Sequence, residues 1–217
     1  MRLTIFGATG GVGRELVAQA AAAGHQVRAL MRSPAAVPAT VEAHLIDDVT
    51  SANALRVAIA GANVVLSALG QRRHYPANAW SRIISPIDLN ERFAKALVDA
   101  IGEGAIGPRV IVVSAGGAGD RRARLGGVAR FMFDHSNIGV AYRDLDRMEN
   151  VLASSTLDWC AVRLTTLNNR KRTGRVHETD RYGPMHSIAR ADVACWMLEH
   201  LKSDAAASNR TPMITAA

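Results

Sequence analysis

Apolar positions along the chain follow two alternating rhythms. Short runs dense in Val, Ile and Leu stand at Leu3 to Phe6, Gln26 to Met31, Ala43 to Ile46, Val64 to Leu69, Val110 to Ser114 and Trp159 to Leu164. Their length and near-continuous hydrophobicity predict strands covered on both faces. Between them, longer stretches with helical spacing predict helices over 11–23, 51–60, 86–102, 142–154 and 189–202. Gly24, Gly61 and Gly102 stand just past three of these stretches, where a residue of positive φ closes a helix. Strand alternating with helix is the signature of an α/β domain, a mostly parallel sheet with helices on both faces.

Between the first strand and the first helix lies GATGGVG, Gly7 to Gly13, with glycines spaced as GxxGxxG. Gly7 permits a tight turn, Gly10 lets backbone approach a pyrophosphate, and Gly13 lets the helix pack close to the strand. Thr9, Gly11 and Val12 complete a loop whose free amides and helix dipole face phosphate. The expected fold is therefore a single Rossmann-type doubly wound parallel sheet that binds a dinucleotide. The second strand ends in Arg32-Ser33, where an NAD enzyme places a carboxylate against the ribose 2′-hydroxyl. A guanidinium there holds a 2′-phosphate instead, so NADP(H) is expected over NAD(H). Asp48-Val49 after the third strand and Ala68-Leu69-Gly70 after the fourth are candidates for the adenine wall. Asp48 has an equal second reading as a capping residue for the helix that follows, a role Thr50 or Ser51 could also fill.

A chain of 217 residues supports one well-buried core, so 1–217 is expected to be one domain. Two polar, Gly- or Arg-rich stretches, 115–136 and 165–187, break the alternation after the fifth and sixth strands. That edge of the sheet is where ligands bind, which makes them the expected walls of a substrate pocket, or else plain surface loops. The net charge of +7 is almost wholly arginine, since lysine occurs only at Lys95, Lys171 and Lys202. The arginine clusters fall in these irregular stretches and not on a helix of the kind that reads a groove, so no nucleic-acid partner is expected. Arg72, Arg124 and Arg170 are candidates to attract an acceptor's phosphate or propionate groups. No apolar run approaches the roughly eighteen residues needed to cross a bilayer, so no membrane span is expected. The first residues run straight into a strand without room for a signal peptide, so a cytoplasmic location is expected. Cys160 and Cys195, isolated in apolar segments, read as buried thiols, and no spacing suggests a metal.

Over nearly its whole length the chain resembles the atypical short-chain dehydrogenases, a group that includes NAD(P)H-dependent flavin reductases, biliverdin-IXβ reductases and NmrA-like NADP-binding proteins. The resemblance is carried by GATGGVG, Arg32, Asp48-Val49, the ALGQR stretch Ala68 to Arg72, Ser114-Ala115, the stretch Arg147 to Arg163, and IARADVA from Ile188 to Ala194. It implies a small planar acceptor such as a flavin or quinone, or a protein that merely senses its cofactor. It also places Ser114 beside the nicotinamide, where the hydroxyl could orient the carboxamide or donate to an acceptor, and Ala115, Arg163, Leu164 and Thr165 along the cofactor. The proline-containing turn usual after the sixth strand is absent at Arg163-Leu164-Thr165.

Typical short-chain dehydrogenases pair Tyr with Lys four residues on, lowering the phenol's pKa for proton exchange. Here Tyr75, Tyr142 and Tyr182 are followed at that spacing by Ala79, Asp146 and His186. Without the pair, an acceptor whose reduced form water can protonate is favoured over an alcohol or carbonyl. His135 and His186 are the histidines nearest the predicted pocket loops, but lone histidines are more often structural than catalytic. Asp192 reads as a residue complementing the dipole of the last helix.

Overall fold

The computed structural model describes residues 1–75, 78–102, 104, 106–119, 135–181, 183, 185–202 and 208–216. The expectations for Arg124 and Tyr182, and for most of 115–136, lie outside these residues.

Strands β1 (Arg2–Phe6), β2 (Gln26–Met31), β3 (Val41–Leu45), β4 (Val64–Ser67), β5 (Arg109–Ala115) and β6 (Trp159–Leu164) appear as expected. So do helices α1 (Gly11–Ala22), α2 (Ala52–Ala58), α3 (Leu89–Ile101), α4 (Asn137–Ala153) and α5 (Arg190–Glu199). Four short strands were not legible in the sequence: β7 (Thr166–Asn168), β8 (Val176–Glu178), β9 (Ser187–Ala189) and β10 (Met213–Ala216). All belong to one sheet of order β3-β2-β1-β4-β5-β6-β10-β9-β7, with β8 also paired to β10. From β3 through β6 every pairing is parallel. The order runs outward one way from β1 through β2 and β3 and the other way from β4 onward. Its switch point lies between the C-terminal ends of β1 and β4, the place where open α/β sheets bind ligands.

Two apolar layers cover the sheet. On one face Leu16, Val17 and Ala20 of α1 pack with Val193, Trp196 and Met197 of α5. On the other, Leu55 of α2, Phe93 and Leu97 of α3, and Met148 and Leu152 of α4 form the second core. Phe6 and Phe93 meet edge to face with centroids 5.0 Å apart. Gly24, Gly61 and Gly102 have φ of 77°, 71° and 88°, as their places after the helices require.

Helix α4 begins five residues earlier than its spacing predicts, because Ser136 caps it by accepting from the Ile138 amide at 3.2 Å. Helix α3 lacks a side-chain cap of its own. The buried carboxylate of Asp144, on α4, serves it instead by accepting from the amides of Asn90 and Glu91 at 3.1 and 3.0 Å. This long-range cap satisfies donors that a helix start leaves unpaired.

Candidate cofactor cleft

The glycine loop sits at the switch point. Gly7 has φ of +72°, and a Cβ there would lie 2.6 Å from the carbonyl oxygen of Ala68, just past β4. Backbone strain and close approach therefore both demand glycine. A Cβ on Gly13 would come within 2.0 Å of the Gly7 carbonyl oxygen, so Gly13 sets how closely α1 packs on β1. Gly10 is different: its φ of −73° and ψ of 170° are open to any residue, and a Cβ would meet nothing nearer than 3.2 Å. Gly10 is the N-cap of α1, no side chain caps that helix, and its first turn holds no acid. The amide donors of a twelve-residue helix thus open toward the loop, a ready anion site.

A cleft of about 470 Å³ lies in front of these amides, lined among others by Gly7, Thr9 and Gly10. Arg32 and Ser33 line it from the end of β2, Val49 from beyond β3, and Ala68, Leu69 and Gly70 from beyond β4. Ten of the expected cofactor residues thus surround one cavity or its loop, counting Gly13 beneath it. Leu30, Met31, Ile46, Pro86 and Leu89 add apolar wall that no motif announced. Arg72, expected to serve an acceptor, instead lines this same cleft, its amide donating to Ser85 Oγ at 2.9 Å. Among the described residues no Asp, Glu, His, Lys or Tyr lines it. Among the described residues the only charged side chains that line the cleft are therefore arginines, a balance that suits an anion.

The side chain of Val12 is buried and the side of Gly11 faces Arg190, so these two offer the loop only their amides at the start of α1. The other expected residues lie elsewhere. Asp48 is exposed, and its Oδ1 accepts from the amide and hydroxyl of Thr50 at 2.8 and 2.6 Å. Those two bonds hold its pKa below the ordinary aspartate value. Ser51 is the N-cap of α2, so Asp48 shapes the turn before that helix and does not line the cleft.

Ser114 is 2% exposed. Its hydroxyl donates to Glu149 Oε1 at 2.6 Å, so its proton is not directed at a ligand. Arg163, expected along the cofactor, is 4% exposed and grips the same carboxylate, Nε to Oε1 at 3.1 Å and Nη2 to Oε2 at 2.7 Å. Thr165 donates to the Ile214 carbonyl at 3.3 Å and lies 3.1 Å from the Thr215 hydroxyl. Leu164 is core, and Ala115 is half-buried at the end of β5. Remote partners engage these side chains, Glu149 of α4 for Ser114 and Arg163 and β10, paired in parallel with β6, for Thr165.

His135 is exposed and has a partner, whereas the Nδ1 of half-buried His186 has none among the described residues. Arg170 is exposed. Asp192 is fully buried and accepts from the amides of Thr173 and Gly174 at 2.9 Å each. Beyond its place in the first turn of α5, it therefore pins the loop after β7. Among the described residues no group of three His, Cys, Asp or Glu is placed to hold a metal, and no helix is long and apolar enough to cross a membrane.

A mostly parallel sheet, antiparallel only where β10 meets β8 and β9, with its glycine loop and uncapped helix at the switch point, defines a dinucleotide-binding Rossmann protein. The model of the NAD(P)H-binding family matches residues 7–204, and the chain belongs to that family. The fold is shared with ChuY, an anaerobillin reductase from Escherichia coli O157:H7, at 21% identity over 99% of this chain and 96% of that one, with a TM-score of 0.73. It is shared with the oxidoreductase ylbE from Lactococcus lactis, at 19% identity over 100% and 91% of the two chains and a TM-score of 0.77. A Streptococcus pneumoniae protein assigned as an NADH-flavin reductase matches at 18% identity over the full length of both chains, with a TM-score of 0.72.

Proposed function

We propose that this protein is an NADPH-dependent reductase that passes hydride to a small planar acceptor of the flavin or quinone kind. The observation that carries the cofactor choice is the cleft itself, with Arg32 and Arg72 on its walls and no carboxylate among its described lining residues. The amides at the start of α1 would hold the diphosphate, Arg32 with Ser33 would take the 2′-phosphate by charge-assisted hydrogen bonds, and Ile46 and Val49 would offer the adenine an apolar wall. Gly10, which the backbone does not require to be glycine, keeps that space clear.

Bound there, the nicotinamide supplies a hydride. The chain contributes orientation, holding two flat rings in contact, an effect that needs no tuned acid. That no Asp, Glu, His, Lys or Tyr is among the described lining residues fits an acceptor that water can protonate. It equally favours a second reading, an NADP-sensing regulator without turnover. The fold shared with an anaerobillin reductase and an assigned NADH-flavin reductase supports the first. We place the protein in the cytoplasm, where its two unpaired cysteines fit a reducing compartment.

Titration with the two reduced cofactors tests the reading. NADPH is expected to bind at least about tenfold tighter than NADH, and Arg32→Ala to erase most of the difference, from a charge-assisted contact of about 1.5–3 kcal/mol. Equal affinities refute the NADPH assignment. Cofactor oxidation on adding flavins and quinones then separates the two readings, since tight binding without any turnover leaves the regulator.

A further inference from the structure

Gly11, the first residue of α1, is where the glycine loop becomes helix, and the space beside it is filled from outside. A Cβ on Gly11 would fall 2.5 Å from both Cδ and Nε of Arg190. Arg190 is the first residue of α5, and α5 packs on the same face of the sheet as α1. It follows β9, which lies beyond β6 in the strand order, whereas Arg32 follows β2 on the other side of β1. The two arginines therefore approach the loop from opposite flanks.

The guanidinium of Arg190 makes one hydrogen bond among the described residues, from Nη1 to Asn169 Oδ1 at 2.6 Å. That partner is neutral, and no carboxylate there pairs with the charge. The nearest acid in sequence, Asp192, spends its oxygens on Thr173 and Gly174. A cation beside the positive end of a helix is disfavoured unless an anion joins it. Here Arg190, itself the first residue of α5, lies against Gly11 at the start of α1, and Gly11 adjoins Gly10, which lines the cleft.

We propose that Arg190 is a binding residue for the diphosphate of the cofactor, and that Gly11 is glycine so that this side chain can reach the loop. The proposal rests on the dinucleotide reading of the cleft and adds to it a second, separable anion contact. Arg32 recognises the phosphate that distinguishes NADPH from NADH, and Arg190 recognises the diphosphate common to both. Asn169 holds the guanidinium in place and links the loop after β7 to the cofactor.

Calorimetric titration with ADP, 2′-AMP, NADPH and NADH separates the contacts, with thermal melts confirming folded variants. Arg190→Ala is expected to weaken ADP, NADPH and NADH alike by about ten- to hundredfold, the range for loss of a charge-assisted contact, and to leave 2′-AMP unchanged. Arg32→Ala is expected to do the reverse, weakening 2′-AMP and NADPH and sparing ADP. Gly11→Leu, which displaces the Arg190 side chain, is expected to reproduce the Arg190→Ala pattern, and Arg190→Lys to recover part of the affinity. Asn169→Ala is expected to cost less than Arg190→Ala, and equal losses would mean that the arginine acts only as a structural tie. Unchanged ADP and NADPH affinities in folded Arg190→Ala overturn the proposal alone. Failure of the unaltered protein to bind either ligand overturns the cleft reading with it.

Discussion

Gly10 and Gly13 are three residues apart in one loop, yet the structure assigns them different work, and paired substitutions make the difference measurable. In Gly13→Ala the new methyl would lie 2.0 Å from the Gly7 carbonyl oxygen, far inside van der Waals contact. Backbone faces backbone there, so relief requires α1 to move away from β1. Leu16, Val17 and Ala20, at most 3% exposed, would then lose their fit against the sheet. Overpacking of this kind costs about 1–3 kcal/mol, and for a domain of this size each kcal/mol moves Tm by about 2–4 °C. A fall of about 2–12 °C is expected in a thermal melt followed by circular dichroism. Gly10→Val has an ordinary backbone, and its Cβ would press the Gly7 carbonyl oxygen at 3.2 Å, a contact that a far smaller shift relieves, so its loss of Tm is expected to be smaller than that of Gly13→Ala. Its side chain enters the cleft, however, and NADPH affinity is expected to fall at least about tenfold. The reasoning fails if Gly13→Ala melts with the unaltered protein, or if folded Gly10→Val binds NADPH undiminished.

Burial pushes the Cys160 thiol up to about 11, so at pH 8 a thiol reagent is expected to spare it in the native protein and label it only after denaturation. Rapid native labelling of both cysteines would contradict its burial. Acid stability is expected to fall in two stages. His25, held below the ordinary histidine value by burial and by the nearby N-terminal amine, resists protonation when folded, so the loss begins as pH falls through about 6.5. Glu91, held low by hydrogen bonds from Lys95 and Arg147, and Asp48, held low by Thr50, contribute stability that is complete above the carboxylate range and lost below about pH 4. A melting temperature that rises on acidification from pH 7 to 3 would reverse these signs.

The strand-helix alternations were legible because strands such as β4, buried throughout, leave apolar runs and the helices between them keep regular spacing, whereas edge strand β3, exposed at four of its five residues, departs from the expected cover on both faces. Motif residues governed by backbone alone were legible too, Gly7 by its turn and Gly13 by its packing. Illegible were features depending on partners remote in sequence. The four-residue β10 carries no pattern strong enough to announce a strand, yet it engages the Thr165 hydroxyl, while Glu149, 14 positions from Arg163, engages that guanidinium. Arg72 showed its charge but not its wall. The meeting of Gly11 with Arg190, 179 positions later, has no local signal, and the same holds for Asp144 capping α3.

Ser114 shows how burial changes the expected chemistry. Its hydroxyl donates to Glu149, whose other contacts are with Arg163, and these three residues are 2%, 6% and 4% exposed. Strands β5 and β6 set Ser114 beside Arg163 in register, and α4 brings Glu149 down onto both. Glu149→Ala would leave a buried guanidinium without its carboxylate, a change that costs about 3–5 kcal/mol, or about 6–20 °C in Tm. Replacing Glu149 and Arg163 together by Leu is expected to recover much of that loss, because an apolar pair carries no desolvation cost. Ser114→Ala removes one hydrogen bond, about 0.5–1.5 kcal/mol of stability. Since the proton of that hydroxyl already belongs to Glu149, reduction of an acceptor is expected to slow by less than about tenfold. Its rate should also stay flat between about pH 6 and 8, where only a catalytic histidine would normally titrate. Turnover of Ser114→Ala at fixed acceptor across that range decides the matter. A loss of about a thousandfold, some 4 kcal/mol of transition-state stabilisation, in a variant that melts normally would mean that the hydroxyl turns from Glu149 to the acceptor during the reaction.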